Sequence, residues 1–319
     1  MRNLDEIYEP IADDLRKTET ILGEVLAAYS GSLGAVLTQL ANYSGKRFRP
    51  ALLLLTARSR GPVTEKHIQA AATVELIHTA SLAHDDVIDG AELRRGRPSL
   101  NRLFGNQVSV IAGDVLFSEA FSLMARFASP AELSALSQAT AEMATGELSQ
   151  LLAQGPIPEE QYMEIVSRKT GALCGAACKV GASLSGSPAS EQAAFETFGR
   201  SVGIAFQIAD DCLDFLGEET VVGKTLGTDL KANKWTLPLL RLYDILGPEE
   251  RSELLELTRR ADCKARLVET LSQRGCFGYA YARAQEFARS AESHLAGIED
   301  GLCKARLIEL GHYAVARRK

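Results

Sequence analysis

Apolar residues recur at three- and four-residue spacing along almost the whole chain, the pattern of helices that each bury a face. The segments IADDLRKTETILGEVLAAY, EKHIQAAATVELIHTASLAHDDVID, SVIAGDVLFSEAFSLMARFA, AELSALSQATAEMATGELSQLLA and EEQYMEIVSRKTGALCGAACKVGASL all carry it. Short breakers rich in Gly, Pro and Ser part them: YSGKRFRP, SRGPVTE, RRGRPS, QGPIPEE, SGSPASE and LGPEE. No sustained alternation of apolar and polar positions predicts a strand. The spacing predicts one all-α domain over residues 1–319, with several helices apolar on every side and so packed inside a bundle.

Composition narrows the function classes. Of 319 residues, 46% are hydrophobic and only 6% aromatic, which favours helix over sheet. A net charge of −6 leaves no basic footprint for nucleic acid, so none is expected as a partner. The opening MRNLDEIYEPIADDL lacks the apolar core of a signal peptide. The run PALLLLTA is too short to cross a bilayer. A cytoplasmic protein without a stable membrane anchor is expected. Cys174, Cys178, Cys212, Cys263, Cys276 and Cys303 form no CxxC pair and read as buried thiols in a reducing compartment.

Against this background SLAHDDVIDG stands out. In a helix Asp85 and Asp89 share a face, with Asp86 partly rotated away. Two carboxylates roughly 5 Å apart repel by about 3 kcal/mol at an effective dielectric near 20. A faint internal echo, QIADDCLDF, repeats the arrangement with Asp210, Asp211 and Asp214. One such triplet could be a solvated helix end. Two in matching apolar surroundings point to a hard divalent cation such as Mg²⁺, which shares its shell with water and substrate phosphates.

A phosphorylated substrate needs cations of its own. SGKRFRPALLLL offers Lys46, Arg47 and Arg49 beside a helix start. ELRRGRPS follows the first triplet with Arg94 and Arg95, suited to forked contacts with phosphate oxygens. GKTLGTDLKANKW follows the second with Lys224 and Lys234; it is not a P-loop, since the required upstream glycine and the strand context are missing. Each acidic triplet is followed by a basic loop.

In this order the motifs resemble the trans-isoprenyl diphosphate synthases, the polyprenyl synthetase family, over about residues 10–319. The matches are DDVID with Arg94-Arg95-Gly96, DDCLD, the GKxxRP motif at Gly45–Pro50, the Lys169-Thr170 pair, Gln207 and the lysine loop Lys224–Lys234. The resemblance implies an isoprenoid synthase-type helical bundle around a central cavity, usually a homodimer, using Mg²⁺. It implies Asp85, Asp89 and Asp210 as the most direct metal ligands, supported by Asp86, Asp211 and Asp214. Lys46, Arg49, His78 and Arg95 would then bind isopentenyl diphosphate. Arg94, Lys169, Lys224 and Lys234 would grip an allylic diphosphate, with Thr170 and Gln207 beside the reacting carbons. His84 reads as a support for Asp85. The sequence departs from the family pattern at Asn233-Lys234-Trp235.

Product length should depend on the turn below the metal site. Residues four and five before Asp85 lie about 6–7.5 Å down the helix. These are Ser81 and Ala80, both small, so a longer octaprenyl- or solanesyl-type product is expected over a geranylgeranyl or farnesyl one. Phe117, Phe121 or Met143 could form a deeper floor. A terpene cyclase and a non-catalytic subunit of a heteromeric synthase are the competing readings. The GKxxRP motif with two intact triplets speaks against both.

Overall fold

The apolar spacing becomes helix nearly everywhere it predicts one. The computed structural model describes residues 2–41, 45–153, 155–217, 234–258, 260 and 263–316. Its helices are α1 (Leu4–Tyr8), α2 (Ala12–Ala27), α3 (Gly31–Ala41), α4 (Phe48–Arg60), α5 (Glu65–Ile88), α6 (Leu100–Phe104), α7 (Asn106–Ala125) and α8 (Pro130–Leu152). They continue as α9 (Glu159–Val166), α10 (Ala172–Leu184), α11 (Ala189–Leu216), α12 (Leu237–Ile245), α13 (Pro248–Thr258), α14 (Lys264–Gln273), α15 (Cys276–His294) and α16 (Leu302–Ala316).

Local chemistry starts several of them. Ser129 and Glu132 form a reciprocal capping box at α8, with Pro130 in its first turn. At α5 the same device uses His67 in place of Glu: the Thr64 N–H donates to His67 Nδ1 at 3.0 Å.

The run PALLLLTA becomes the middle of α4, where Ala51, Leu52, Leu53, Leu54 and Leu55 are wholly buried. Each such leucine contributes about 1.5–3 kcal/mol by leaving water. Close approach of α10 to α4 needs Gly181, where a Cβ would lie 2.5 Å from the Leu53 carbonyl oxygen. Around this centre α5 packs on α7, α10 on α11, and α11 on α15. Helix α11 belongs to two apolar clusters, contributing Phe195, Phe198 and Val202 to one and Ile204, Ile208 and Phe215 to the other. That shared helix ties the two halves of the chain and carries the second aspartate triplet at its C-terminal end.

Three features depart from the sequence reading. First, a short antiparallel ladder exists: β1 (Leu93–Arg94) pairs with β2 (Arg97–Pro98). Arg95 and Gly96 form its turn at φ 52° and 74°, the left-handed pair that a two-residue hairpin demands. Strands this short leave no alternation to read. Second, the segment from Glu159 to Leu184 is not one helix. A π turn at Ser167–Gly171 divides α9 from α10. Third, α7 is by length and composition apolar enough to cross a bilayer. One side packs on α5, while Val108 and Ile111 on the other are exposed. All six cysteines are free and buried, as expected.

Candidate active site

Asp85 and Asp86 occupy the last turn of α5 and Asp89 is its C-cap. Three acids here oppose the helix dipole, so compensating cations are needed. The β-hairpin supplies the first: Arg94 Nε donates to Asp86 Oδ1 at 2.9 Å, and Asp86 is wholly buried. Burial works to lower Arg94, but Asp86, Asp85 and Asp89 together hold it above the ordinary guanidinium value. The second comes from far along the chain. Lys234 Nζ lies 2.8 Å from Asp89 Oδ1 and 3.2 Å from Glu147 Oε1 on α8.

Glu147 also pairs with Lys169, whose Nζ donates to Gln150 Oε1 at 3.0 Å. Burial alone would raise Glu147; Lys169 and Lys234 instead hold it below the usual carboxylate range. Desolvation pushes Asp85 up to about 6, Glu147 and Asp89 act in the same direction, and Lys169 and Arg94 oppose.

The second triplet is reached through the π turn. Its widened backbone directs Lys169 toward α8 and Thr170 toward α11. Thr170 Oγ1 donates to Gln207 Oε1 at 2.7 Å, and Gln207 Nε2 donates to Asp211 Oδ1 at 2.7 Å. Tyr162 on α9 donates its hydroxyl to Asp211 Oδ2 at 2.6 Å. Asp211 and Asp214 are buried, and Asp210 is half-buried. A glycine flanks the turn on each side. A Cβ at Gly146 would lie 2.7 Å from the Lys169 nitrogen, and one at Gly203 would lie 2.8 Å from the Gly171 Cα. One side-chain network thus runs from Asp89 through Lys234 and Glu147 to Lys169, and a second from Thr170 through Gln207 to Asp211; the two adjoin only through the Lys169–Thr170 backbone.

Of the remaining predicted binding residues, His78 lies about two turns before Asp85 on the same face of α5. Lys46 is exposed near the Tyr313 ring, while Arg49 is buried in the first turn of α4. His78, on α5, is held well below its ordinary value, first by loss of water and then by Arg49, Arg95, Arg94 and Arg47. Arg95 lies at the hairpin tip, against Gly45. Lys224 falls outside the described residues.

Below the first triplet, Ala80 is wholly buried and Ser81 half-buried, its hydroxyl donating to the His78 carbonyl at 2.8 Å. His84 approaches Phe117, with ring centroids 5.7 Å apart, and its Nε2 lies 2.9 Å from the Val110 carbonyl oxygen. That ring ties α5 to α7 beside Asp85. Phe121 is half-buried and Met143 buried. Trp235, where the sequence departs from the family pattern, is buried in the second core cluster, edge-on to Tyr243.

Sequence reasoning missed Glu147, Gln150 and Tyr162. Glu147 and Gln150 stand three apart in TGELSQ, on one face of α8, and that spacing was the signal available.

Residues 31–273 match the family model for polyprenyl synthetase. The octaprenyl diphosphate synthase of Escherichia coli K12 is 34% identical over 320 residues, covering 99% of both chains. A short chain isoprenyl diphosphate synthase of Methanothermobacter thermautotrophicus is 34% identical over 286 residues, covering 87% of this chain and 88% of its own. Among solved structures, a polyprenyl synthase of Caulobacter crescentus in complex with calcium and isoprenyl diphosphate superposes with a TM-score of 0.94 at 32% identity, covering 99% of this chain and 98% of its own. The chain belongs to the polyprenyl synthetase family. It is a trans-prenyltransferase with the all-α isoprenoid synthase fold.

The donor chemistry fits a divalent cation. Asp85, Asp89, Asp210 and Asp214 offer hard carboxylate oxygens at the ends of two helices, and burial raises Asp85 to about 6, a carboxylate that a nearby cation would favour in its charged form. Among the described residues no three acidic or imidazole groups converge on one point.

Proposed function

We propose that this enzyme condenses isopentenyl diphosphate with an allylic diphosphate, head to tail, to give a long trans-polyprenyl diphosphate of octaprenyl or solanesyl type. The observation that supports the reading is the pair of side-chain networks, Asp89 to Lys169 and Thr170 to Asp211, that meet at the π turn. Ammonium groups, carboxylates and a polarised hydroxyl are the groups these contacts involve, which supports the reading.

In this reading Asp85, Asp89 and Asp210 would hold Mg²⁺, with Asp86, Asp211 and Asp214 in support. When bound, the ion neutralises the diphosphate leaving group. The protein's own share is electrostatic. Lys169 and Lys234 share Glu147 with each other, so each can turn a donor to an incoming diphosphate. Arg94, tied to Asp86, presents its remaining N–H groups, and Lys224 completes the set.

The allylic carbon–oxygen bond breaks, its electron pair leaving with the diphosphate. The cationic carbon is then attacked by the double bond of isopentenyl diphosphate, forming a carbon–carbon bond, and a proton is lost to the departing diphosphate. Thr170 directs its proton to Gln207, so its lone pairs remain for the developing positive charge. Lys46, Arg49, His78 and Arg95 hold the second diphosphate, fixing the geometry of attack.

Small residues at Ala80 and Ser81 support a long product, as does likeness to the octaprenyl synthase over both full lengths. The exposed apolar side of α7 (Val108, Ile111), beside exposed Leu103 and Phe104, supports a homodimer and not a stable membrane anchor. The protein is read as cytoplasmic. The test is product analysis by the purified single chain with labelled isopentenyl diphosphate, Mg²⁺ and several allylic primers. Chains near eight to nine isoprene units are expected; arrest at four or fewer would make it a short-chain synthase. No elongation by the chain alone would make it a subunit of a heteromeric enzyme.

A further inference from the structure

We infer that Glu75, a buried carboxylate on α5 outside the reaction path, is a positioning residue that holds the isopentenyl diphosphate site in shape through Arg47 and Arg95. The inference rests on the substrate reading just given for Lys46, Arg49, His78 and Arg95.

Among the described residues only Arg47 and Arg95 combine a side chain with a positive φ, 49° and 52°. That conformation crowds a Cβ against the backbone and persists only where surroundings enforce it. Both residues belong to the cationic group. Arg47 stands between Lys46 and Arg49, and Arg95 is itself a member. Arg47 is the N-cap of α4, yet its side chain makes no capping hydrogen bond. It reaches outward instead: Nη1 donates to Glu75 Oε1 at 2.5 Å and Nη2 to Glu19 Oε2 at 2.8 Å. Glu75 is 3% exposed, so the anchoring end of this bridge is the buried one.

The same carboxylate is near enough to Arg95 to act on its charge. Burial and the neighbouring Arg47, Arg94 and Arg49 lower Arg95 to about 10, and Glu75 is the acid that opposes them. The Arg95 guanidinium lies against Gly45, where a Cβ would overlap it. His78 follows Glu75 by three residues on the same side of α5. The backbone at Lys46 is fixed as well, its carbonyl accepting from the Tyr8 hydroxyl at 2.9 Å.

Four arginines and a lysine are thus drawn together before any anion arrives. Arg94 has Asp86 as its own partner. For the two residues of positive φ, Glu75 is the buried acid in common: it is bonded to Arg47 and acts on the charge of Arg95. A residue whose sole task was packing would not need a charge aimed at two left-handed arginines.

The experiment is steady-state kinetics on Glu75→Gln, which keeps shape and removes charge, with each substrate varied in turn. The expected result is a rise of about tenfold or more in KM for isopentenyl diphosphate, the loss of one charge-assisted contact. KM for the allylic diphosphate and kcat should stay within about twofold, and Glu75→Asp should recover part of the loss. Arg47→Lys keeps the charge without the fork and should show the same selective rise, which covers the case that the Gln variant fails to fold. An unchanged KM for isopentenyl diphosphate in a folded variant overturns the proposal, even if the melting temperature falls. So does a lowered KM, which would make Glu75 a mere repeller of the anion. If the wild-type chain does not elongate isopentenyl diphosphate at all, it is the functional reading that fails.

Discussion

Lys234 and Asp89 lie 145 residues apart in sequence and meet at 2.8 Å, Nζ to Oδ1, inside the bundle. The contact joins the segment that leads into α12 to the end of α5, and Glu147 on α8 makes it a three-way junction.

Removing that ammonium takes the partner from half-buried Asp89 and leaves buried Glu147 with Lys169 alone. Lys234→Met should cost about 3–5 kcal/mol of stability, the usual penalty for breaking a buried pair from one side. It should also lower kcat/KM for the allylic substrate by roughly tenfold to a hundredfold. Lys234→Arg should keep most of the stability. Thermal melts with parallel kinetics check this, and a Met variant that melts like wild type would contradict the junction.

The aspartates divide by burial. Asp85 and Asp210 are half-buried, whereas Asp86 is sealed against Arg94. Asp85→Ala or Asp210→Ala should therefore cut turnover by about a hundredfold or more with far-UV helical content intact. Asp86→Ala should in addition lower the melting temperature, because Arg94 loses its partner. Normal turnover by either of the first two variants would remove the metal assignment.

Product length is tested one turn below Asp85. Ala80→Phe places a ring where the chain now has a methyl group, at an overpacking cost of about 1–3 kcal/mol. Ser81→Phe, at a half-buried position, carries less strain. Chain-length analysis should show shorter products from both. An unchanged distribution in both would mean the growing chain takes another route.

Acid sensitivity should come in part from His67. Burial lowers its pKa, and Nδ1 accepts the Thr64 N–H that starts α5. A proton on Nδ1 breaks that cap, worth about 1 kcal/mol. The unfolded chain takes the proton first, so this stability is present above about pH 6.5 and is lost as pH falls below it. Wild type minus His67→Gln in melts across that range isolates the effect. Parallel curves for the two proteins would rule it out.

The two triplets were legible because Asp85 with Asp89, and Asp210 with Asp214, are one helical turn apart, so spacing alone aligns them. The basic loops were legible because they follow the triplets directly. Glu147 was not: its partner Lys234 is 87 residues away, and nothing local marks the pairing. The π turn was equally hidden. SRKTG has the apolar flanks of ordinary helix, and the bulge depends on Gly146 and Gly203, which come from other helices. The hairpin escaped because two-residue strands have no period.

Trp235 is the single tryptophan of the chain, adjacent to Lys234, buried, with its ring 5.7 Å from that of Tyr243. Nature has thereby installed one intrinsic fluorophore next to the cation that bridges Asp89 and Glu147. Its emission reports on this junction alone, undiluted by other indoles. Ligand titrations can therefore be followed optically on the unlabelled enzyme.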